Sequence, residues 1–222
     1  MATRQRSIVQ LTDCASRHLE EYCSPSSAFG WPDYDHDPAP GRLVPGDLLA
    51  PAWLSYPIPT KYLQSMSASD GNAYHQLRKA IAEVVEVAAA DESFLELDEV
   101  ALMTGTGGTA TPGWVAFWKA WNQVGETTGL TSVALTKILH RKVPSLIPIL
   151  DSLVSGFYGI SNHSDRRGVH TMLALHRDLT AHRDLAEGWA SQWALEDGRP
   201  MTLLRAVDIV VWTHQSTGCL TP

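Results

Sequence analysis

Asp151 is the residue of this chain best placed to do chemistry. It stands at the head of a segment in which Leu150, Leu153, Val154 and Phe157 fall in helical phase, with Ser155 and Tyr158 on an adjoining, partly polar line. A carboxylate near a helix N-terminus is favoured as an anion. There it can stabilise an oxocarbenium-like sugar, or orient a water, while an N-glycosidic bond breaks. Lys137, His140, Lys142 and Arg205 are candidate counter-charges. In a catalytic reading they border a substrate site; in a structural reading one of them pairs with Asp151 and merely ties helices together. Both accounts stay open. Trp114, Trp118 and Trp121 lie on the helix just before the 125–130 hairpin and Tyr158 follows Asp151 by about two turns, so stacking on a planar ring is available to them. A core stripe is the plainer account of the three Trp.

Other residue patterns promise less. His176-Arg-Asp-Leu is repeated at His182-Arg-Asp-Leu, but a six-residue step turns a helix by about 240°, which sends the imidazoles to different faces. The segment Gly105-Thr-Gly-Gly-Thr-Ala-Thr-Pro112 lacks the Gly-Lys-Ser/Thr ending and the preceding strand of a phosphate loop. Arg205 and Asp208, three residues apart, read first as an ion pair. Cys14, Cys23 and Cys219 form neither a Cys-x-x-Cys pair nor an even framework, so no metal, no cofactor and a reducing cytoplasm are expected. The basic clusters at 140–142, 165–167 and 176–183 read as solvated helix ends.

The elements that must position these residues are helical. Ile8, Leu11 and Cys14 start a helix over 7–23. Residues 24–59 hold eight of the thirteen prolines and read as a Pro-rich loop, with a short helix that Asp47 caps after Pro45-Gly46. Leu77, Ile81, Val84, Val85 and Ala88 mark one face of a core helix. Pro112 opens the Trp-bearing helix to Val124, the glycines of 125–130 form a hairpin, and a helix over 131–141 leads through Pro144 to the helix of Asp151, which begins near Pro148. Helices over 167–194 and 201–214 complete an all-α array, expected to be one domain over 1–222. No alternating strand pattern competes.

Two resemblances follow from these segments. Val133-Ala134, then a loop with Pro144 or Pro148, then Asp151, in a segment near 114–158, resembles the helix-hairpin-helix DNA glycosylases. In bifunctional members a lysine stands where this chain has Ser132, which removes lyase chemistry. Glu126, lying between Gly125 and Gly129, would repel a phosphate. The longer resemblance rests on Pro45-Gly-Asp-Leu-Leu-Ala-Pro-Ala-Trp-Leu54, on Leu135 through Ser152, and on Leu203-Leu-Arg-Ala-Val-Asp208-Ile-Val-Val-Trp212. By these the chain resembles the actinobacterial domain of unknown function family 6308, which implies relatives and a fold but no activity.

Composition limits the partners. With 44% hydrophobic residues, 18% charged and eight Trp, 222 residues suffice for a full core. No apolar run approaches the roughly 20 residues of a membrane span, and a secretory leader is not expected. A net charge of -7 favours a small-molecule substrate over nucleic acid, leaving DNA a weak partner at best. Two functions are expected. One is a glycosylase-like enzyme acting on an N-glycosidic bond or a small heteroaromatic compound, in specialised metabolism, with Asp151 as stabiliser or base. The other is a non-catalytic ligand-binding or interaction protein on the same scaffold.

Overall fold

The computed structural model describes residues 6–24, 31–58, 60, 73–125, 130–160, 168–195 and 198–219. Among these the chain is all-α, with no strand and one isolated bridge between Ala194 and Pro200. In order the helices are α1 (Thr12–Cys23), α2 (Trp31–Asp35), α3 (Ala50–Trp53), α4 (Ala73–Val87), α5 (Glu99–Thr104) and α6 (Pro112–Gln123). After these come α7 (Ser132–Lys142), α8 (Ser152–Phe157), α9 (Val169–Ala181), α10 (Arg183–Ser191) and α11 (Leu203–Thr217). Short 3-10 turns occupy Ile8–Leu11, Pro45–Leu49 and Phe94–Glu96. The chain divides into two compact units, Met1–His36 with Pro148–Pro222, and Asp37–Ile147.

In the first unit α11 is central. Every residue from Leu204 to Val211 is buried, against α1, α8 and α10. A helix buried on all sides needs apolar residues all round, which Leu204, Val207, Ile209, Val210 and Val211 supply. Arg205 and Asp208 are carried inside with them and must find partners there.

In the second unit α7 holds the equivalent position. All residues from Ala134 to Lys142 are buried, against α3, α4, α6 and the Pro45–Leu49 turn. The core face of α4 is the one its spacing predicts, with Leu77, Ile81, Val84 and Val85 buried, but the helix ends at Val87 and leaves Ala88 outside. Thr111 caps α6, its Oγ1 accepting from the Trp114 N–H at 3.3 Å, with Pro112 in the first turn as expected. Gly105 ends α5 at φ 73°, and its missing side chain lets the Trp118 ring lie directly against it.

The boundaries depart from expectation in three places. The helix expected over 167–194 is two, because His182 (φ -129°, ψ 34°) leaves helical geometry without any Gly or Pro to announce it. Asp47 is not a cap ahead of a helix; it lies inside the Pro45–Leu49 turn, and its Oδ2 accepts from the Val44 N–H at 2.7 Å. The Asp151 helix begins at Ser152 instead of near Pro148. The hairpin tip at 126–129, with Glu126 and Gly129, and the basic cluster at 165–167 lie outside the described residues.

Candidate functional site

Asp151, Tyr158 and Arg205 belong to the first unit. Asp151 is the N-cap of α8: its Oδ1 accepts from the backbone N–H of Leu153 and of Val154, each at 3.0 Å. This satisfies two donors that a helix start otherwise leaves open. The Ser155 hydroxyl donates to the Asp151 carbonyl at 2.9 Å and hydrogen-bonds the Thr171 hydroxyl at 2.9 Å, which fixes the cap to α9. The residue is 8% exposed. Its carboxylate is therefore oriented by backbone donors at a helix head, as its position in the sequence implies.

Tyr158, buried at the end of α8, donates its hydroxyl to Asp178 Oδ2 at 3.0 Å. Burial and the adjoining Asp178 carboxylate both hold this phenol well above its ordinary pKa, so it stays a donor. Asp178 also accepts from the Ser7 hydroxyl at 2.5 Å and from the Ile8 N–H at 2.8 Å. The Asp of the first His-Arg-Asp-Leu repeat thus fastens the N-terminal turn.

Arg205 is engaged on every side. Its guanidinium bonds Asp35 bidentately, Asp208 Oδ2 at 2.6 Å and the Tyr22 hydroxyl at 3.1 Å, and lies 4.8 Å from the Tyr34 ring centre. Burial works against its charge, but Asp35, Tyr22 and Asp208 outweigh burial and hold its pKa well above the usual arginine value. The i, i+3 pair with Asp208 is the one expected; Asp35, from α2, is an unforeseen and larger partner.

Lys137, His140 and the three Trp belong to the second unit. Lys137 Nζ donates to the Leu54 carbonyl at 3.2 Å, and Nζ lies 6.0 Å from the Tyr56 ring centre. The His140 Nδ1–H donates to the Ile147 carbonyl at 2.6 Å, since a carbonyl can only accept. Lys142 pairs with Asp37 at 2.7 Å and Asp47 at 2.9 Å, while Arg141 Nε pairs with Asp47 at 3.0 Å and stacks over Trp53. These four charges are buried together, so His140-Arg141-Lys142 is a core cluster and not a solvated helix end. Trp114, Trp118 and Trp121 are buried; Trp114 Nε1 donates to the Ala101 carbonyl at 2.8 Å and its ring meets Phe117 at 4.9 Å.

An open concavity of the second unit lies elsewhere. It has a volume of about 520 Å³, between Leu43, Val44, Pro45 and Leu48 on one wall and His75, Arg78, Lys79 and Ala82 on the other. The second set recurs at i, i+3, i+4 and i+7, one face of α4. Arg78 and Lys79 are exposed, and neither has an acidic partner among the described residues. The outcome is an apolar wall facing a cationic one.

Residues 15–215 match a family described as a family of unknown function, DUF6308. The chain belongs to that family. The stretches singled out in the sequence acquire physical roles in this DUF6308 member: Asp47 meets Arg141 and Lys142, and Arg205 meets Asp208. No curated protein and no solved structure matches the chain. The resemblance to helix-hairpin-helix glycosylases gains no support from these comparisons. Sequence reasoning missed the cationic face of α4, although its signal was present: His75, Arg78 and Lys79 share the face opposite the Leu77 and Ile81 core. Among the described residues, no helix is long and apolar enough to cross a membrane.

Proposed function

We propose that this DUF6308 protein is a non-catalytic binder of a small molecule that joins an apolar body to an anionic group, seated between the Leu43–Leu48 wall and α4. The observation that carries this is the pairing of an apolar wall with Arg78 and Lys79 in a cavity of about 520 Å³. Small-molecule sites run from about 300 to 1,000 Å³ and combine apolar lining with a few polar groups. Two neighbouring cations with no acidic partner among the described residues offer an anion a charge-assisted contact at little desolvation cost, because they are already in water. DNA is a poorer partner for a chain of net charge -7, and any affinity for it should collapse with salt. A crystal soaked with an aromatic sulfonate is the structural test. Sulfonate oxygens at Arg78 and Lys79 with the ring against Val44 and Leu48 support the reading, and an empty cavity under saturating ligand contradicts it.

A second reading keeps Asp151 as the working group of a glycosylase-like enzyme that acts on an N-glycosidic bond or a small heteroaromatic compound in specialised metabolism. The capping geometry favours it: two backbone donors orient the carboxylate at the helix head. The same two bonds also account for Asp151 as a helix cap and nothing more. Turnover by the wild-type chain that Asp151→Asn abolishes, in a protein of unchanged fold, would establish the enzyme.

A further inference from the structure

Four side chains of the first unit converge where α1 meets the end of α11. Cys14 and His18 are one turn apart on α1 and so share a face. His214 stands in the last turn of α11, and Cys219 follows just beyond it. Gly218, at φ 75°, lets the chain turn back there, its N–H donating to the His214 carbonyl at 2.8 Å. The result brings one donor atom from each of Cys14, His18, His214 and Cys219 within 4.8 Å of one another. Cys219 Sγ lies 3.4 Å from His214 Nδ1, and the His18 and His214 rings meet edge to face at 6.1 Å. The two sulfurs are joined as a disulfide in the structure, across 205 residues of sequence.

A second observation points to a ligand. His18 is wholly buried, yet neither of its ring nitrogens has a hydrogen-bond partner among the described residues. Buried polar groups without partners are rare, because their desolvation is uncompensated. Here the unpaired imidazole is one of four soft or borderline donors gathered at a single point.

We propose that the reduced chain binds one zinc ion through Cys14, His18, His214 and Cys219, and that the Cys14–Cys219 disulfide is the metal-free, oxidised form of the same site. Two cysteines and two histidines are a standard structural zinc set, and bonds of about 2.0–2.3 Å in a tetrahedron place the donors roughly 3.3–3.8 Å apart. The observed cluster needs only small side-chain movements to reach that spacing once the sulfurs separate. Two thiolates neutralise the dication, which suits a pocket whose walls include the wholly buried His18 and the buried Cys14. The conversion balances. A dithiol reductant supplies two electrons and two protons, the Sγ–Sγ bond breaks to two thiols, and the reductant leaves as its own disulfide. Zinc then displaces the two thiol protons to solvent as two Zn–S bonds form. The site closes the N-terminal helix onto the C-terminal one in either state, by a covalent bond or by a metal.

The test uses the full chain, reduced with a dithiol, freed of reductant without air and titrated with cobalt(II) and then zinc. One cobalt per chain with tetrahedral d–d bands and thiolate charge-transfer absorption, bleached by one equivalent of zinc, is the expected result. Cys219→Ser, at an exposed position near the chain end, should fold and lose the charge-transfer intensity of one thiolate. His18→Ala should weaken zinc by more than the roughly 10–100-fold that follows loss of an outer-shell partner. The melting temperature of the reduced wild type should rise with zinc, and that of Cys219→Ser should rise less. No stoichiometric metal on the reduced wild type, or a cobalt spectrum unchanged in both Cys219→Ser and His18→Ala, overturns the proposal.

Discussion

Arg205 and Asp35 stand 170 residues apart in sequence and meet through three hydrogen bonds, Nε to Oδ1 at 2.9 Å, Nε to Oδ2 at 3.2 Å and Nη2 to Oδ2 at 2.8 Å. The contact ties α2 to the central helix of the first unit. Removing one partner of a buried pair strands the other, which typically costs about 3–5 kcal/mol. Asp35→Ala should therefore lower the unfolding free energy read from urea denaturation by an amount of that order. Adding Arg205→Met and Asp208→Leu should recover much of the loss, because Arg205 also pairs with the buried Asp208 and the triple variant leaves none of these three charges without its partner. A triple variant as unstable as the single one would show that packing, and not charge, is what Asp35 supplies.

Gly105→Ala should destabilise the second unit. Position 105 has φ 73°, and a methyl group there would overlap the Trp118 ring. A left-handed residue with a side chain costs about 1–2 kcal/mol and overpacking about 1–3 kcal/mol more. Chemical denaturation measures the sum, and a loss under about 1 kcal/mol would mean that α5 and Trp118 shift freely.

How much of this was legible depended on distance along the chain. The buried face of α4 could be read because Leu77, Ile81, Val84 and Val85 repeat within one element, and so could Asp151 as a helix head, because capping is local. His182 breaks a helix without Gly or Pro, so no residue type announced it. The Asp35 partnership of Arg205, the Asp47 partnership of Arg141 and Lys142, and the meeting of Cys14 with Cys219 join residues that only the fold brings together. The last two also show why basic triplets and scattered cysteines mislead: their meaning lies in partners 94 to 205 residues away.

Asp151 separates capping from chemistry by its two substitutions. Asp151→Ala removes the acceptor for Leu153 and Val154 and should cost about 0.5–2 kcal/mol, whereas Asp151→Asn keeps an oxygen there and should cost less. Equal losses in thermal unfolding would mean that the charge, and not the cap, holds α8.

Alkaline pH should destabilise the first unit. Burial pushes the Tyr22 phenol up to about 12, against the opposing pull of Arg205, and pushes the Cys23 thiol up to about 11. Both acids stay neutral in the fold while the unfolded chain ionises nearer 9 to 10. Their stabilisation is complete below those unfolded values and is lost as pH climbs towards the folded ones. Urea midpoints at pH 8, 9, 10 and 11 should fall steadily above 9. A flat profile would mean that both groups titrate as if exposed.

The central claim, a site for an apolar anion on the cationic face of α4, is tested most directly by titrating the native chain with anilinonaphthalene sulfonate, whose rings and sulfonate match the two walls. The wild type should bind one equivalent with enhanced fluorescence at physiological salt. The Arg78→Glu/Lys79→Glu variant changes only exposed side chains, so its far-UV circular dichroism and melting temperature should match the wild type while its affinity falls at least about tenfold, the equivalent of 1.4 kcal/mol. Undiminished binding by that folded variant would contradict the account.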